Sequence, residues 1–297
     1  MTLQYSSNDI FRVILGYLRP VGCGFPLDQY LEKLGLEIEN GVQHAKPNRQ
    51  LKTENRLLTV STWNVRDTSS VDSLVHALQT VPDLKGSDVV ALQEVSLAMR
   101  GEELAERTGF NCVYSTELVG FNHDNKANPI SIMLLSRHTI SDYQVLRLDD
   151  ARYFTNDHGR VLGASTAIRG KIVKDGKEFV VYSLHIELRA NQFRKKKHIK
   201  RLLDDISRYE GTPVIIAGDF NFIFDMLERP SLKILSQNAF LDPFGGHKRT
   251  TLNDSYGQIL RSALDRIMSR GIAPVYTTVQ TDVTTSDHFP VTALYRL

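Results

Sequence analysis

Val214-Ile215-Ile216-Ala217-Gly218-Asp219-Phe220-Asn221 is a run of four apolar residues that leads into a glycine, an acid and an amide. An uninterrupted apolar run of this length is the pattern of a strand buried on both faces. Such strands deliver polar groups at their C-terminal mouth, where loops carry chemistry. Alternation at a period of two puts Asp219 and Asn221 on one face, so a carboxylate and an amide point into a common site. A turn that uses Asp and Asn only as caps has the same spelling. The remainder of the chain separates the two readings.

Working outward, four more segments end the same way. Leu57 to Val65 reads as a strand carrying Trp63-Asn64, and Asp88 to Leu92 as one delivering Gln93-Glu94. Glu178 to His185 ends in Ser183-Leu184-His185, and Ser286-Asp287-His288 precedes the last strand, Pro290 to Tyr295. Asp265 adds an acid inside a late strand, Leu264 to Ser269. One such end is unremarkable; this many in one chain point to a shared site. The donors are oxygen-rich, with two histidines beside several acids, no paired cysteines and no His-x-x-x-His. Hard divalent ions, Mg²⁺ first and Mn²⁺ second, take carboxylate and amide oxygens and keep waters for a phosphate partner. Histidines that move a proton, or stabilise charge, beside acids that orient water suit phosphate-ester hydrolysis.

The intervening sequence reads as helices, hairpins and further strands. Val71 to Val81 and Leu97 to Thr108 are expected helices, the second stopped by Gly109. Asn111 to Tyr114, Ile130 to Leu135 and Ser141 to Leu148 are expected strands, with a polar loop at Phe121 to Asn128 long enough to reach over a site. Leu162 to Val173 and Glu178 to His185 read as a hairpin around Asp175-Gly176. Ile199, Leu202, Leu203 and Ile206 mark the apolar face of a helix after His185, and Pro274 to Gln280 is a further strand. Strands outnumber helices without a βαβ period, which argues for sheets covered by helices. Residues 1–56 form a separate segment: a helical pair, with Ile10 to Leu18 in its first helix, followed by a polar linker from Glu39 to Arg56.

Composition narrows the class. The 297 residues are 41% hydrophobic and 24% charged, as in ordinary soluble domains, and the formal charge of +2 argues for no polyanionic partner by itself. With only Cys23 and Cys112, the chain has no disulfide framework or thiolate metal site. That fits a reducing compartment, and the expected location is the cytoplasm. No segment approaches the roughly 18 apolar residues of a membrane span, and Arg12 interrupts the N-terminal apolar run.

Taken in order, Trp63-Asn64, Gln93-Glu94, His185, Gly218-Asp219-Phe220-Asn221, Asp265-x-Ile267 and Ser286-Asp287-His288 resemble the endonuclease/exonuclease/phosphatase superfamily over residues 57–297. The resemblance implies an α+β fold, a four-layer α/β/β/α sandwich of two mostly antiparallel sheets flanked by helices. It implies that Glu94 binds Mg²⁺, that Asn64 assists at the metal or phosphate, and that Asp287 supports the metal or water. Asp219 would orient or deprotonate the nucleophilic water, and Asn221 would hold a phosphate oxygen. Asp265 would orient His288, His288 would contact the phosphate, and His185 would serve as acid or charge stabiliser. Gly159-Arg160-Val161 resembles a strand opening of the apurinic endonucleases, which makes Arg160 a phosphate contact by analogy.

The branch stays open. His185 departs from the apurinic endonucleases, and Ala263-Leu264 before Asp265 departs from the inositol phosphatases. His185 followed by Arg194 on a helix is similar to the tyrosyl-DNA phosphodiesterase pattern. The basic run Arg194-Lys195-Lys196-Lys197, with Lys200 and Arg201, begins that helix; Arg194, Lys197 and Arg201 share one stripe able to steer a polyanion. The expected activity is a Mg²⁺-dependent phosphodiesterase acting on nucleic acid, with no obligate protein partner. A phospholipid or inositide substrate, with Ile10 to Leu18 facing a membrane, is the alternative. A catalytically silent binding protein is disfavoured because no core acid or histidine of the set is replaced.

Overall fold

The computed structural model describes residues 29, 41–43, 56–66, 70–96, 101–121, 127–156, 159–188, 190–222, 225–244, 250–251 and 263–297. The expected N-terminal helical pair lies outside these residues, apart from the single helical residue Gln29.

Two sheets face one another. The larger has nine strands: β1 (Gly41–Gln43), β2 (Leu57–Asn64), β3 (Val89–Ser96), β4 (Asn111–Phe121), β5 (Ala127–Ser136), β7 (Arg152–Asn156), β8 (Gly159–Gly163), β13 (Pro274–Val279) and β14 (Val291–Arg296). Their order is β13-β14-β2-β3-β5-β4-β8-β7, with β1 also on β4. The smaller sheet orders β12 (Asp265–Arg270), β11 (Val214–Asp219), β10 (Lys177–His185), β9 (Thr166–Lys174) and β6 (Ile140–Arg147). Only β2–β3 and β10–β11 pair in parallel among the described strands. The fold is therefore the expected sandwich of two mostly antiparallel sheets.

Side-chain alternation builds the layers. Leu58, Val60, Val89 and Ala91 of the larger sheet pack against Val181, Ile215, Ala217 and Ile267 of the smaller one. The opposite face of the larger sheet, with Trp63, Val90 and Leu92, is covered by α1 (Val71–Thr80), α2 (Pro82–Lys85) and α3 (Gly101–Thr108) through Leu74, Leu78, Leu84 and Leu104. Val180, Tyr182, Val214 and Ile216 on the outside of the smaller sheet meet Ile199 and Leu202 of α4 (Gln192–Ile206) and Leu235 of α5 (Asp225–Gln237). This completes four layers, α/β/β/α. Asn191 caps α4, its side chain accepting the Arg194 N–H.

Several boundaries depart from the sequence reading. Leu162 to Val173 is two strands in different sheets, β8 and β9, separated at Ala164-Ser165. The break is fixed by bonds from Ala164 N–H to Glu117 O and from Leu148 N–H to Ser165 O. β4 continues through Phe121 and pairs with β5 up to Phe121–Ala127, so the ends of the expected loop at Phe121 to Asn128 are strand, and 122–126 lie outside the described residues. Gly41–Gln43, within the segment read as linker, pairs antiparallel with β4. The hairpin at Asp175-Gly176 is as expected: φ is 51° and 76° at the two positions, the left-handed pair of a type I′ turn.

Candidate active site

The site forms at one edge of the sandwich, where β2, β10 and β11 end and β12 begins. On β11, Ile215 and Ala217 face the other sheet, and the period of two carries Asp219 to the same face. In the pairing register His185 on β10 lies beside Asp219, and Asp219 lies opposite Asp265 on β12, so these three form one row across the sheet. Leu58 and Val60 put Asn64 of β2 on the facing surface. Gly218 makes the row tight. A Cβ there would lie 1.9 Å from the Leu184 carbonyl oxygen, so only glycine lets β10 and β11 approach.

Strict alternation would turn Glu94 away from this cleft, because Leu92 faces the outer helices. The register between β3 and β5 shifts between Leu92 and Val95, and Glu94 adopts φ 55°. This irregularity redirects the carboxylate inward, as bulges beside active sites do. Arg66 (φ 49°) and Asn221 (φ 49°) are likewise left-handed non-glycine residues. Three such residues at one mouth mark a locally strained backbone of the kind that clusters at functional sites.

Asp219 is at the centre. Its Oδ2 accepts from the Asn64 amide at 3.1 Å and its Oδ1 from the Asn221 N–H at 2.8 Å. The Asn64 amide nitrogen also donates to Glu94 Oε1 at 3.0 Å, while its oxygen accepts from the Arg66 N–H at 2.9 Å. The backbone donor fixes the amide orientation, so Asn64 turns its NH₂ to the two carboxylates. Asn221 Nδ2 donates to the Ile186 carbonyl at 2.8 Å and lies 3.5 Å from His185 Nε2.

Two imidazole–carboxylate pairs flank Asp219. His288 Nδ1 is 2.8 Å from Asp265 Oδ2, and His185 Nδ1 is 2.9 Å from Glu117 Oε2. His185 Nε2 sits 3.7 Å from Glu94 Oε1 and 4.0 Å from Asp219 Oδ2. Burial by itself would lower both imidazole pKa values. Asp265 and then Asp219 overcome it for His288, and Glu117, Asp219 and Glu94 for His185, each raised to about 10. In each pair the carboxylate partners favour the imidazolium form. Burial pushes the Glu94 carboxyl up, against the opposing pull of His185 and Asn64. The Ser-Asp-His loop is fastened to β2: Ser286 Oγ donates to Asn64 O at 2.7 Å, and the Trp63 indole donates to His288 O at 3.0 Å. Asp287, partly exposed at the rim, pairs with Arg66 at 2.9 Å.

The His288–Asp265 pair has a consequence for stability. A free imidazole titrates near 6.5 and the folded one near 10, so the stabilisation is complete below about pH 6.5 and is lost as pH rises through about 10. In chelator, the stability gap between wild type and His288→Gln should narrow between pH 6.5 and 10 when followed by denaturant melts. A gap that widens over that range contradicts the assigned pairing.

The structure brings together Asn64, Glu94, His185, Asp219, Asn221, Asp265 and His288, with Asp287 at the rim. The Arg160 side chain lies outside what is described; its backbone is in β8. Sequence reasoning missed three participants. Glu117 is a fully buried acid inside β4 that holds both His185 and the Glu94 N–H (3.0 Å). Lys195 is fully buried, and Arg66 engages Asp287. The basic stripe needs correction at Arg194, which is bound to Asp149 and Glu187 at 2.6 and 3.2 Å; Arg201 donates to Leu148 O and stays exposed. Lys197 and Lys200 are exposed and Lys196 partly so.

A model of the Endonuclease/Exonuclease/phosphatase family matches residues 61–288, a span that runs from β2 to the last histidine of the site. The chain belongs to the endonuclease/exonuclease/phosphatase family. Members of this family are hydrolases of phosphate esters in class. Solved endonuclease/exonuclease/phosphatase structures share the fold at low identity. An endonuclease/exonuclease/phosphatase from Beutenbergia cavernae is 18% identical with a TM-score of 0.62, over 82% of this chain and 72% of that one. D. rerio TDP2 complexed with single strand DNA product is 16% identical at 0.56, over 81% and 99%. The human Nocturnin catalytic domain with bound sulfate anion is 15% identical at 0.55, over 86% and 96%. No curated protein sequence matches the chain.

The donor chemistry at the mouth fits a hard divalent cation. Glu94 keeps 26% of its side chain exposed and shares an amide donor with Asp219, so two carboxylates converge on one point. Atoms of Asp219, Asp265 and His288 also lie within 4.8 Å of one another. There Asp265 Oδ2 is paired with His288 Nδ1 at 2.8 Å, which suits that pair to orienting the ring, while Glu94 with its exposed edge joins Asp219 at the mouth as a cation donor.

Proposed function

We propose that the protein is a Mg²⁺-dependent phosphodiesterase acting on nucleic acid, with water as nucleophile. The observation that carries this reading is Asp219 held between two carboxylate-paired imidazoles, with Glu94 across the mouth. Glu94 and Asp219, supported by Asp287, would hold the ion; bound there, Mg²⁺ (or Mn²⁺) supplies Lewis-acid polarisation of a phosphoryl oxygen. Asp219, fixed at both oxygens by Asn64 and Asn221, orients the attacking water and takes its proton. His288, charged and aimed by Asp265, binds a non-bridging phosphate oxygen and stabilises the negative charge that develops there. Asn221 offers its amide to a second phosphate oxygen, and His185, charged by Glu117, protonates the departing oxygen or stabilises its charge.

Nucleic acid is favoured over a phospholipid or inositide headgroup. The bound product named for the TDP2 neighbour supports this choice, as do the exposed Lys197 and Lys200 and the partly exposed Lys196 on α4, whose first turn contacts the site loops through Arg194 and Lys195. Among the described residues no helix is long and apolar enough to cross a membrane. The test is purified protein with Mg²⁺ against DNA, RNA, sphingomyelin and inositol phosphates. Replacing Lys196, Lys197 and Lys200 together with Gln should flatten the salt dependence of oligonucleotide binding, by up to about 0.9 in log–log slope for each duplex phosphate that is no longer neutralised. Cleavage of a small phosphodiester should be unchanged. An unaltered salt slope favours the headgroup reading.

A further inference from the structure

Lys195 lies in a run of four basic residues, yet it is fully buried. Its ammonium donates to the Asn221 carbonyl and, at 3.0 Å, to Glu228 Oε1, an acid that is also fully buried. Its Nζ lies 5.6 Å from the centre of the Phe222 ring, and Phe222 stacks edge-on against Phe220 at 5.4 Å. Burying an ion pair is expensive in desolvation, and hydrophobic residues of similar volume often do as well or better for stability. The pair is therefore explained poorly as a source of stability and well as a device that fixes geometry.

The segment it grips includes the site. Asn221 sits at φ 49°, a conformation that an unrestrained Asn leaves readily for more populated regions. Its N–H donates to Asp219 Oδ1 and its side chain bridges to the Ile186 carbonyl beyond His185. An unbroken line of contacts thus runs from Glu228 on α5, through Lys195 on α4, to the Asn221 peptide and the Asp219 carboxylate. We infer that Lys195 is a positioning residue that holds Asn221 and, through it, Asp219 in the reactive arrangement. This rests on the phosphate-ester reading for its catalytic consequence but not for the restraint itself.

Two variants separate positioning from stability. Glu228→Gln keeps an acceptor for Lys195, whose amine donates to the Asn221 carbonyl as an ammonium or, without Glu228, as a neutral amine; Lys195→Met/Glu228→Gln removes the grip without stranding a buried charge. With Mg²⁺ and bis(4-nitrophenyl) phosphate, the double variant should show kcat lower than Glu228→Gln by about 10- to 100-fold, the scale of a small misplacement of reacting groups. KM should stay within about threefold. By NMR hydrogen exchange, the Asn221 amide should exchange at least about tenfold faster in the double variant, while amides in the middle of β10 are unchanged. Should the double variant not fold, Lys195→Gln/Glu228→Gln, an uncharged pair in which residue 195 is too short to span both partners, replaces it with the same expectations. Equal exchange in the two variants overturns the proposal, and so does faster exchange with equal kcat. If wild type hydrolyses no ester, the functional reading fails on its own, and the exchange comparison alone upholds or overturns the restraint.

Discussion

Changing Asp219 to Asn is expected to lower kcat by at least about 10²-fold and leave the melting temperature close to that of the wild type. The carboxylate accepts from two different donors, Asn221 N–H on Oδ1 and the Asn64 amide on Oδ2. An amide retains one accepting oxygen, so one of these bonds survives. The other side then places an NH₂ against a donor, and the group can neither take a proton nor hold a cation. Removing a buried negative charge compensates for part of the lost bonding, which is why the fold should persist. The measurement is kcat with a melting curve on the same sample. A folded Asp219→Asn protein with wild-type turnover refutes the role given to Asp219.

His288→Ala is expected to lower kcat by a similar factor, about 10² or more, through loss of an imidazolium aimed at the phosphate. Asp265 acts only through that ring, to which it bonds at 2.8 Å. Asp265→Asn should therefore be milder than His288→Ala, and the double variant should be no worse than His288→Ala alone, since groups acting as a unit are non-additive. If the two losses multiply in the double variant, Asp265 has a separate role, such as holding the ion. Steady-state kinetics on the four proteins decide between these outcomes.

Much of this site was legible because strand ends write polar groups after apolar runs. Asn64, His185, Asp219 and Asp265 sit on inter-sheet faces that simple alternation assigns, and they meet because β2, β10 and β11 end, and β12 begins, at the same edge. Glu94 was found for its spelling beside Gln93, although alternation alone points it outward; a backbone irregularity with φ 55° turns it in. Glu117 was not legible. It lies inside a strand, between Thr116 and Leu118, and its significance depends on a contact with a residue 68 positions away. Lys195 was hidden for the opposite reason: among basic neighbours it reads as one more solvated charge, and only the docking of α4 buries it.

The fold shows the same division. Apolar patterning pointed to sheets covered by helices and the family resemblance to the four-layer order, but neither showed the division of Leu162 to Val173 between two sheets, because both halves are apolar and the change of sheet occurs at two small residues, Ala164 and Ser165. α5 escaped notice since Pro230 stands within it and normally argues against a helix. β1 and β7 are short strands whose pairing partners, not their own composition, define them.

The central claim is that converging carboxylates and charged imidazoles at this sheet edge perform metal-assisted hydrolysis of a phosphate diester. The most direct measurement is the rate of bis(4-nitrophenyl) phosphate and oligonucleotide hydrolysis by the 297-residue chain with Mg²⁺, after exhaustive chelation, and after Mg²⁺ is restored. The account predicts turnover that disappears in chelator and returns with the ion. Turnover that persists undiminished in excess chelator contradicts it.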